Sequence, residues 1–354
     1  MKNYSTNWLP EFSSLTVRCL FIGHRPTPKS VLFIVYVFIF LLNLNGQTIK
    51  NKQTKVPNIS AITSQKPNEI IPGGLCGAEL NYKSISEREI EIFLVKYFYC
   101  TDFRIDSTES VTVQECIINM ITAKPILRLV SVKDSARLQN VNCSNYQSGC
   151  VKQVVYSGKV NIMKPMMGGY DITWGYCCWD EYHMTNIQGM QEFQKQGLSL
   201  ILHIPETGTG EINASPAFLF PPVISTCKGQ LIVINASAMD EDKDSLGYEF
   251  SILHDYKTAN GTTYPEEPKF NPGVPMNTSF AGGRPPFKPI LYKKGYRSSK
   301  PLGGNQLIIH SKTGEIQLKP DSIGEYLIGV SVKEYRLRKP LGTYQRVFKV
   351  HVVD

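Results

Sequence analysis

Asp240-Glu-Asp242-Lys-Asp244 is the segment whose residue types and spacing most readily support chemistry, because alternate carboxylates in a turn can converge on one hard cation. Ca²⁺ takes about six to eight oxygen ligands from carboxylates, carbonyls and water. Three carboxylates do not fill that shell, so Glu241, Asp180, Glu181 or Glu211 would have to add to it. Lys243 stands where such turns usually carry glycine, and no Gly-x5-Glu tail follows, which excludes an EF-hand. The same residues also read as a solvated acidic turn that tightens a β-hairpin, and the sequence leaves both readings open. Ca²⁺ at Asp240, Asp242 and Asp244 is therefore the one cofactor to look for.

The cysteines are the second group. Cys19 precedes an apolar run, and eight follow it: Cys76, Cys100, Cys116, Cys143, Cys150, Cys177, Cys178 and Cys227. An even number behind an export signal reads as a disulfide framework in an oxidising compartment. Adjacent Cys177 and Cys178 at the end of an aromatic strand point to opposite faces and should take different partners. Cys143 and Cys150 are close enough in sequence to close a small loop together. Zinc would need paired Cys-x2–4-Cys or neighbouring histidines, and His24, His183, His203, His254, His310 and His351 do not cluster along the chain. Asp180-Glu181 with His183 could be drawn as an acid/base group, but no nucleophile elbow, P-loop or dinucleotide fingerprint accompanies it. The expectation is a non-enzymatic protein. Trp174, Tyr176, Trp179, Tyr182, Tyr292 and Tyr296 could form a flat sugar- or peptide-binding surface, or fill cores.

The elements that must position these residues are β-strands. Alternating or β-branched, aromatic runs occur at Glu89–Tyr99, Ile126–Val132, Lys152–Ile162, Tyr170–Tyr176 and Leu198–Ile204. Ala217–Pro222, Leu231–Ile234, Leu246–Leu253, Gln306–Ile309, Glu315–Leu318, Glu325–Lys333 and Arg346–Val353 continue the series. Only Ser135–Leu138 and Asn186–Gln196 could hold a helical turn. In Glu325–Lys333, Tyr326, Ile328, Val330 and Val332 share one face and Leu327, Gly329 and Ser331 the other, the pattern of a half-buried strand. Thr313-Gly314 predicts a hairpin turn. Asp255–Pro289, rich in Gly, Pro and Asn, reads as a long loop and the expected contact surface.

A chain of 354 residues with 42% hydrophobic content has room for two domains with real cores. The fold class expected is all-β, two tandem Ig-like or cadherin-like sandwiches over residues 72–207 and 208–354. Residues 1–46 carry the apolar run 31–44 and read as a signal peptide, or as an N-terminal anchor if uncleaved, and the polar stretch 47–71 as a linker. That places the protein outside the cytoplasm, at the cell surface, outer membrane or beyond, with a membrane contact only through residues 1–46. The net charge of +8 is scattered except at Lys333, Arg336, Arg338 and Lys339, which reads as a solvated basic face. No dense basic stripe marks a nucleic-acid binder.

Several phrases, in order, resemble the exported β-sandwich proteins of Bacteroidota with gliding-motility-associated, PKD- and cadherin-like modules. They are Gly77-Ala-Glu-Leu-Asn-Tyr82, Tyr97-Phe-Tyr-Cys100, Tyr170-Asp-Ile-Thr-Trp-Gly-Tyr-Cys-Cys178, Ser215-Pro-Ala-Phe218, Ser237–Leu246 and Gly324–Arg336. Family members often carry cysteine where this chain has Lys83-Ser84, Ser251 and Ser331, so Cys227 is alone in the second half. It either bridges to the first half or leaves one thiol free in each. Members often run on into further domains, so the sequence reads as a short or truncated member. The resemblance implies a surface or secreted module for adhesion, binding or envelope scaffolding, with a protein or glycan as partner. The alternative it implies is a spacer or accessory domain of a larger secreted enzyme or gliding-associated protein.

Overall fold

The computed structural model describes residues 74–100, 105–117, 120–135, 150–162, 166–177, 184–188, 197–209, 211–222, 225–258, 278–281, 287–303 and 307–354. The N-terminal segments 1–46 and 47–71, Cys143, Cys178, Trp179, Asp180, Glu181, Tyr182, His183 and most of the two expected helical turns lie outside them. No helix of the described residues is long and apolar enough to cross a membrane.

The described residues are all-β, 63% strand and 2% helix. The first strands are β1 (Leu75–Ser84), β2 (Glu89–Tyr99), β3 (Thr108–Ser110), β4 (Thr112–Glu115), β5 (Ile121–Ala123), β6 (Ile126–Ser135), β7 (Val151–Asn161), β8 (Tyr170–Cys177) and β9 (Leu198–Ile204). A single turn of helix, α1 (Glu206–Thr209), precedes β10 (Ala217–Phe218), β11 (Ser225–Cys227), β12 (Ile232–Asn235), β13 (Ala238–Met239), β14 (Ser245–Phe250) and β15 (His254–Thr258). The chain continues through β16 (Thr278–Ala281), β17 (Phe287–Pro289), β18 (Leu307–Ile309), β19 (Glu315–Leu318), β20 (Gly324–Arg336) and β21 (Lys339–Val353).

The main sheet runs β3-β6-β7-β2-β1-β21-β9-β8-β4-β5, antiparallel along this path. β14 and β20 extend it from β21, β11 joins β21 in parallel, and β12-β19-β18 form a small separate sheet. Pairing therefore crosses residue 207: Gly77, Ala78 and Glu79 of β1 sit opposite Phe348, Val347 and Arg346 of β21.

The two largest hydrophobic cores among the described residues follow from this pairing. The first collects Leu80, Ile92, Leu94, Val113, Ile172, Trp174, Leu200 and Leu202; the second collects Ile234, Ile316, Leu318, Tyr326, Ile328, Phe348 and Val350. β20 serves both, with Leu327 in the first and Tyr326, Ile328 and Val330 in the second. It is therefore not the half-buried strand its alternation suggests. Its second face carries small residues because it is packed: a Cβ on Gly329 would lie 2.4 Å from the Leu253 side chain. β20 turns into β21 through Leu337 and Arg338, both at positive φ, a two-residue hairpin turn whose twist suits the strands. Gly314, at φ +73, makes the β18–β19 hairpin expected at Thr313-Gly314.

The stretch 255–289 is not free of structure. β15 pairs with β9 and β17, and β16 pairs with β8 from Thr278 opposite Cys177 to Ala281 opposite Trp174. Residues 259–277 and 282–286 lie outside the described set. Of the two readings of the aromatic residues, core filling holds for those described: Trp174 and Tyr176 are buried in the first core, Tyr292 packs against it, and Tyr296 packs against the second.

Cys100 is bonded to Cys150, not Cys143 to Cys150. The reason is register: Tyr99 pairs with Val151, so the next residues out, Cys100 and Cys150, face each other with Cα atoms 5.2 Å apart. The bridge closes a 50-residue separation. Replacing both cysteines by serine is expected to lower the unfolding free energy by about 2–4 kcal/mol, read as a drop in the urea midpoint. Cys227 is also disulfide-bonded, whereas Cys76 and Cys116 are free thiols and so stand outside the framework that the even count suggested. Cys76 is packed against Val95, Tyr97, Tyr99 and Val151, and burial pushes its thiol up to about 12, so it behaves as a small apolar residue.

Candidate metal centre

The turn between β13 and β14 brings one carboxylate oxygen each from Asp240, Asp242 and Asp244 within 4.8 Å of one another. Local backbone chemistry holds it: the Asp244 N–H donates to Asp240 Oδ1 at 2.8 Å, and Lys243 takes the left-handed conformation, φ 64, where glycine is usual. The Ala214 N–H donates to Asp242 Oδ2 at 2.8 Å. Ala214 belongs to the connection 211–215, which is itself stitched to β1. Ser84 N–H donates to Asn213 O at 2.8 Å, and Ser215 N–H donates to Tyr82 O at 2.8 Å.

The β14–β20 register pairs Ser245 with Tyr335 and Leu246 with Glu334, which sets Asp244 beside Arg336. Arg336 clasps Asp244 with Nε and Nη2, at 3.0 and 2.6 Å, and its Nη2 also donates to Asn213 Oδ1 at 2.9 Å. Asp242 and Glu211 stand 3.7 and 3.6 Å away from its guanidinium. The expected basic face is thus partly an ion-pair network: Lys333 bonds Glu249 at 2.8 Å, and Arg336 is inside the acidic group.

Glu334 is the residue that sequence reasoning missed. It is 0% exposed. Its Oε2 accepts from the Tyr344 hydroxyl and from Asn213 Nδ2, while its Oε1 has no donor. Asp240 Oδ2 is likewise buried with no donor, and the two carboxyl groups lie within hydrogen-bonding reach of each other. Burial pushes Glu334 up to about 8, with the charges of Asp240 and Asp244 adding to it against the Tyr344 and Asn213 donors. Burial also raises Asp240, with Asp244 and Asp242 contributing. In sequence, Glu334 shows only as one acid among Lys333, Tyr335 and Arg336, ninety residues from the turn, and nothing local marks it.

Asp240, Asp242, Asp244 and Glu334 supply four carboxylates, faced among the described residues by the Arg336 guanidinium and, at Asp242, by the Lys83 ammonium that bonds Glu241. An uncompensated buried carboxylate must be protonated or meet a cation. The donors are all oxygens, two of them buried and unmatched, so the group fits a hard cation such as Ca²⁺. Asp244 is committed to Arg336. Asp240, Glu334 and Asp242 would hold the ion, with the rest of its shell from carbonyls and water. Of the further donors expected, Glu241 instead bonds Lys83 at 2.6 Å and Glu211 flanks Arg336; Asp180 and Glu181 lie outside the described residues.

Protein-family models, curated proteins and solved structures offer no match to this chain.

A second group brings one histidine, a thiol and a carboxylate together, which the sequence did not show. His203 Nδ1 lies 2.8 Å from Asp171 Oδ1 and 3.8 Å from Cys116 Sγ. Thiol and carboxylate meet the same ring nitrogen, and among the described residues no hydrogen bond at the far nitrogen gives the ring the geometry of a nucleophilic triad. Burial, with the charge of Asp171 and its hydrogen bond to the thiol, also pushes Cys116 up to about 12.

Proposed function

We propose that this chain is a non-enzymatic exported module for adhesion, binding or envelope scaffolding at a cell surface, in which Ca²⁺ braces an acidic junction between two cores. The cores then correspond to the two Ig-like or cadherin-like sandwiches that the Bacteroidota resemblance implies. One observation carries the reading. The unmatched oxygens of Asp240 and Glu334 lie where the connection 211–215 meets β1 and the acidic turn meets the end of β20. A cation there would tie the connection to the second core. A module that transmits force or presents a surface needs such a junction stiff.

The test is thermal unfolding of the whole chain in millimolar Ca²⁺, in Mg²⁺ and in chelator. A ligand present at about 100 times its Kd adds about 2.7 kcal/mol. For a chain of this size that is roughly 3–5 °C in Tm. Ca²⁺ is expected to raise Tm by that amount, Mg²⁺ to raise it less, and Asp240→Asn to remove the response. An unchanged Tm leaves the turn as plain structure and removes the cation from the reading.

A further inference from the structure

On the side of the main sheet facing away from the first core, one cross-strand row runs through four strands. Gln114 of β4 pairs with Asp171 of β8, Asp171 with His203 of β9, and His203 with Thr343 of β21. Their chain neighbours Val113, Ile172, Leu202 and Tyr344 lie in the first core. Paired residues of antiparallel strands project to one side, with Cβ atoms about 4.5–5.5 Å apart. Cys116 comes two residues after Gln114, in the turn that leaves β4, where its N–H donates to Gly169 O at 3.2 Å.

One ligand atom each from Cys116, Asp171 and His203 falls within 4.8 Å of the others. A thiol, an imidazole and a carboxylate are the donors zinc takes. With bonds of about 2.0–2.3 Å, a tetrahedral ion spaces its ligands roughly 3.3–3.8 Å apart. The 3.8 Å from Cys116 to His203 meets that as it stands, and the 2.8 Å from His203 to Asp171 opens by about half an ångström.

A separate observation points to a ligand. Gln114 is 0% exposed, and neither its Oε1 nor its Nε2 has a partner. Native proteins rarely leave a buried amide unmatched at both ends. Beside Asp171, it stands where an outer hydrogen bond would steady a metal-held carboxylate or water. The His203 side chain is 39% exposed, which opens the group to solvent for the ion and a fourth ligand.

We propose that Cys116 Sγ, His203 Nδ1 and Asp171 bind one Zn²⁺, with water in the fourth position and Gln114 as the outer hydrogen-bond partner. The Cys116 proton passes to solvent on binding. The site is distinct from the acidic junction, whose donors are oxygens alone.

The test is titration of the whole chain, disulfides intact, with Zn²⁺ and with Co²⁺ as its spectroscopic substitute. One Co²⁺ per chain is expected, with a thiolate-to-cobalt charge-transfer band that Zn²⁺ bleaches. Cys116→Ser should abolish the band, and His203→Gln should weaken Zn²⁺ at least tenfold. Gln114→Leu should weaken Zn²⁺ about tenfold while raising the Tm of the metal-free protein, a pairing that a purely structural glutamine would not produce. Absence of the band in the parent protein, its survival in Cys116→Ser, or Cys116 recovered in a disulfide by mass spectrometry would overturn the proposal.

Discussion

Glu334→Gln is expected to stabilise the cation-free protein above pH 8 and to abolish its response to Ca²⁺. The carboxyl is fully buried, and burial with the nearby charges of Asp240 and Asp244 holds it at about 8, well above the 4.5 of a free glutamate. A raised folded value means that the native state keeps the proton longer than the unfolded chain. The stability this group contributes is complete below about pH 4.5, declines as pH rises, and is lost once pH passes about 8. At 1.36 kcal/mol per pKa unit, the loss is on the order of 3–5 kcal/mol. Glutamine cannot ionise. Its carbonyl can still accept from Tyr344 and Asn213, and its amide can donate to Asp240 Oδ2, which has no donor. Thermal unfolding in chelator at pH 9 should show the variant melting roughly 4–9 °C above the parent. At pH 5, where Glu334 is protonated in the folded protein, the two should nearly coincide. A variant less stable than the parent at pH 9, or one still stabilised by Ca²⁺, would show that Glu334 neither bears the strain nor binds the ion.

Arg346→Ala should be the most destabilising substitution outside the hydrophobic cores. Arg346 is 1% exposed and sits opposite Glu79 in the β1–β21 pairing. Its Nε donates to Glu79 Oε2 at 2.5 Å, Nη1 to Phe220 O at 2.7 Å, and Nη2 to Tyr97 Oη at 3.4 Å. The guanidinium also lies 3.8 Å from the Phe218 ring centroid. Removing it leaves Glu79, 3% exposed, charged and without its cation, a loss of about 3–5 kcal/mol. Lysine should not rescue it, because a point charge cannot span three acceptors and a ring. The double variant Arg346→Met with Glu79→Gln should recover part of the loss in urea denaturation, since both charges go together. A loss below about 1 kcal/mol for Arg346→Ala would mean that water reaches Glu79.

The strands were legible wherever a run could declare itself alone. Glu89–Tyr99, Leu198–Ile204 and Glu315–Leu318 are β2, β9 and β19 with the same bounds. β15, β16 and β17 were not legible, because each is three to five residues long and is held by hydrogen bonds to β8, β9 or each other. β20 misled in a different way. Alternation marks which residues share a side, but not how many sides are covered: the second core takes the face of Tyr326, Ile328 and Val330, and the first core also covers the face bearing Leu327, Gly329 and Ser331. The two metal candidates divide along the same line. Asp240, Asp242 and Asp244 are neighbours in sequence, and their spacing shows them as a group. Glu334 reaches them only through the β14–β20 register, and Cys116, Asp171 and His203 meet only because β4, β8 and β9 lie side by side.

By itself the sequence determined the β class of this chain, most of its longer strands, the hairpin at Gly314 and the acidic turn, since each depends on residues within a few positions of one another. The tertiary structure alone decided that Cys100 finds Cys150, that Cys76 and Cys116 stay thiols, that β20 and β21 serve two cores, and which carboxylates are left without a donor. Those outcomes turn on strand order and register. A shift of one residue in pairing exchanges every side chain between faces, so burial, and with it charge state and ligand geometry, is set by partners far away along the chain.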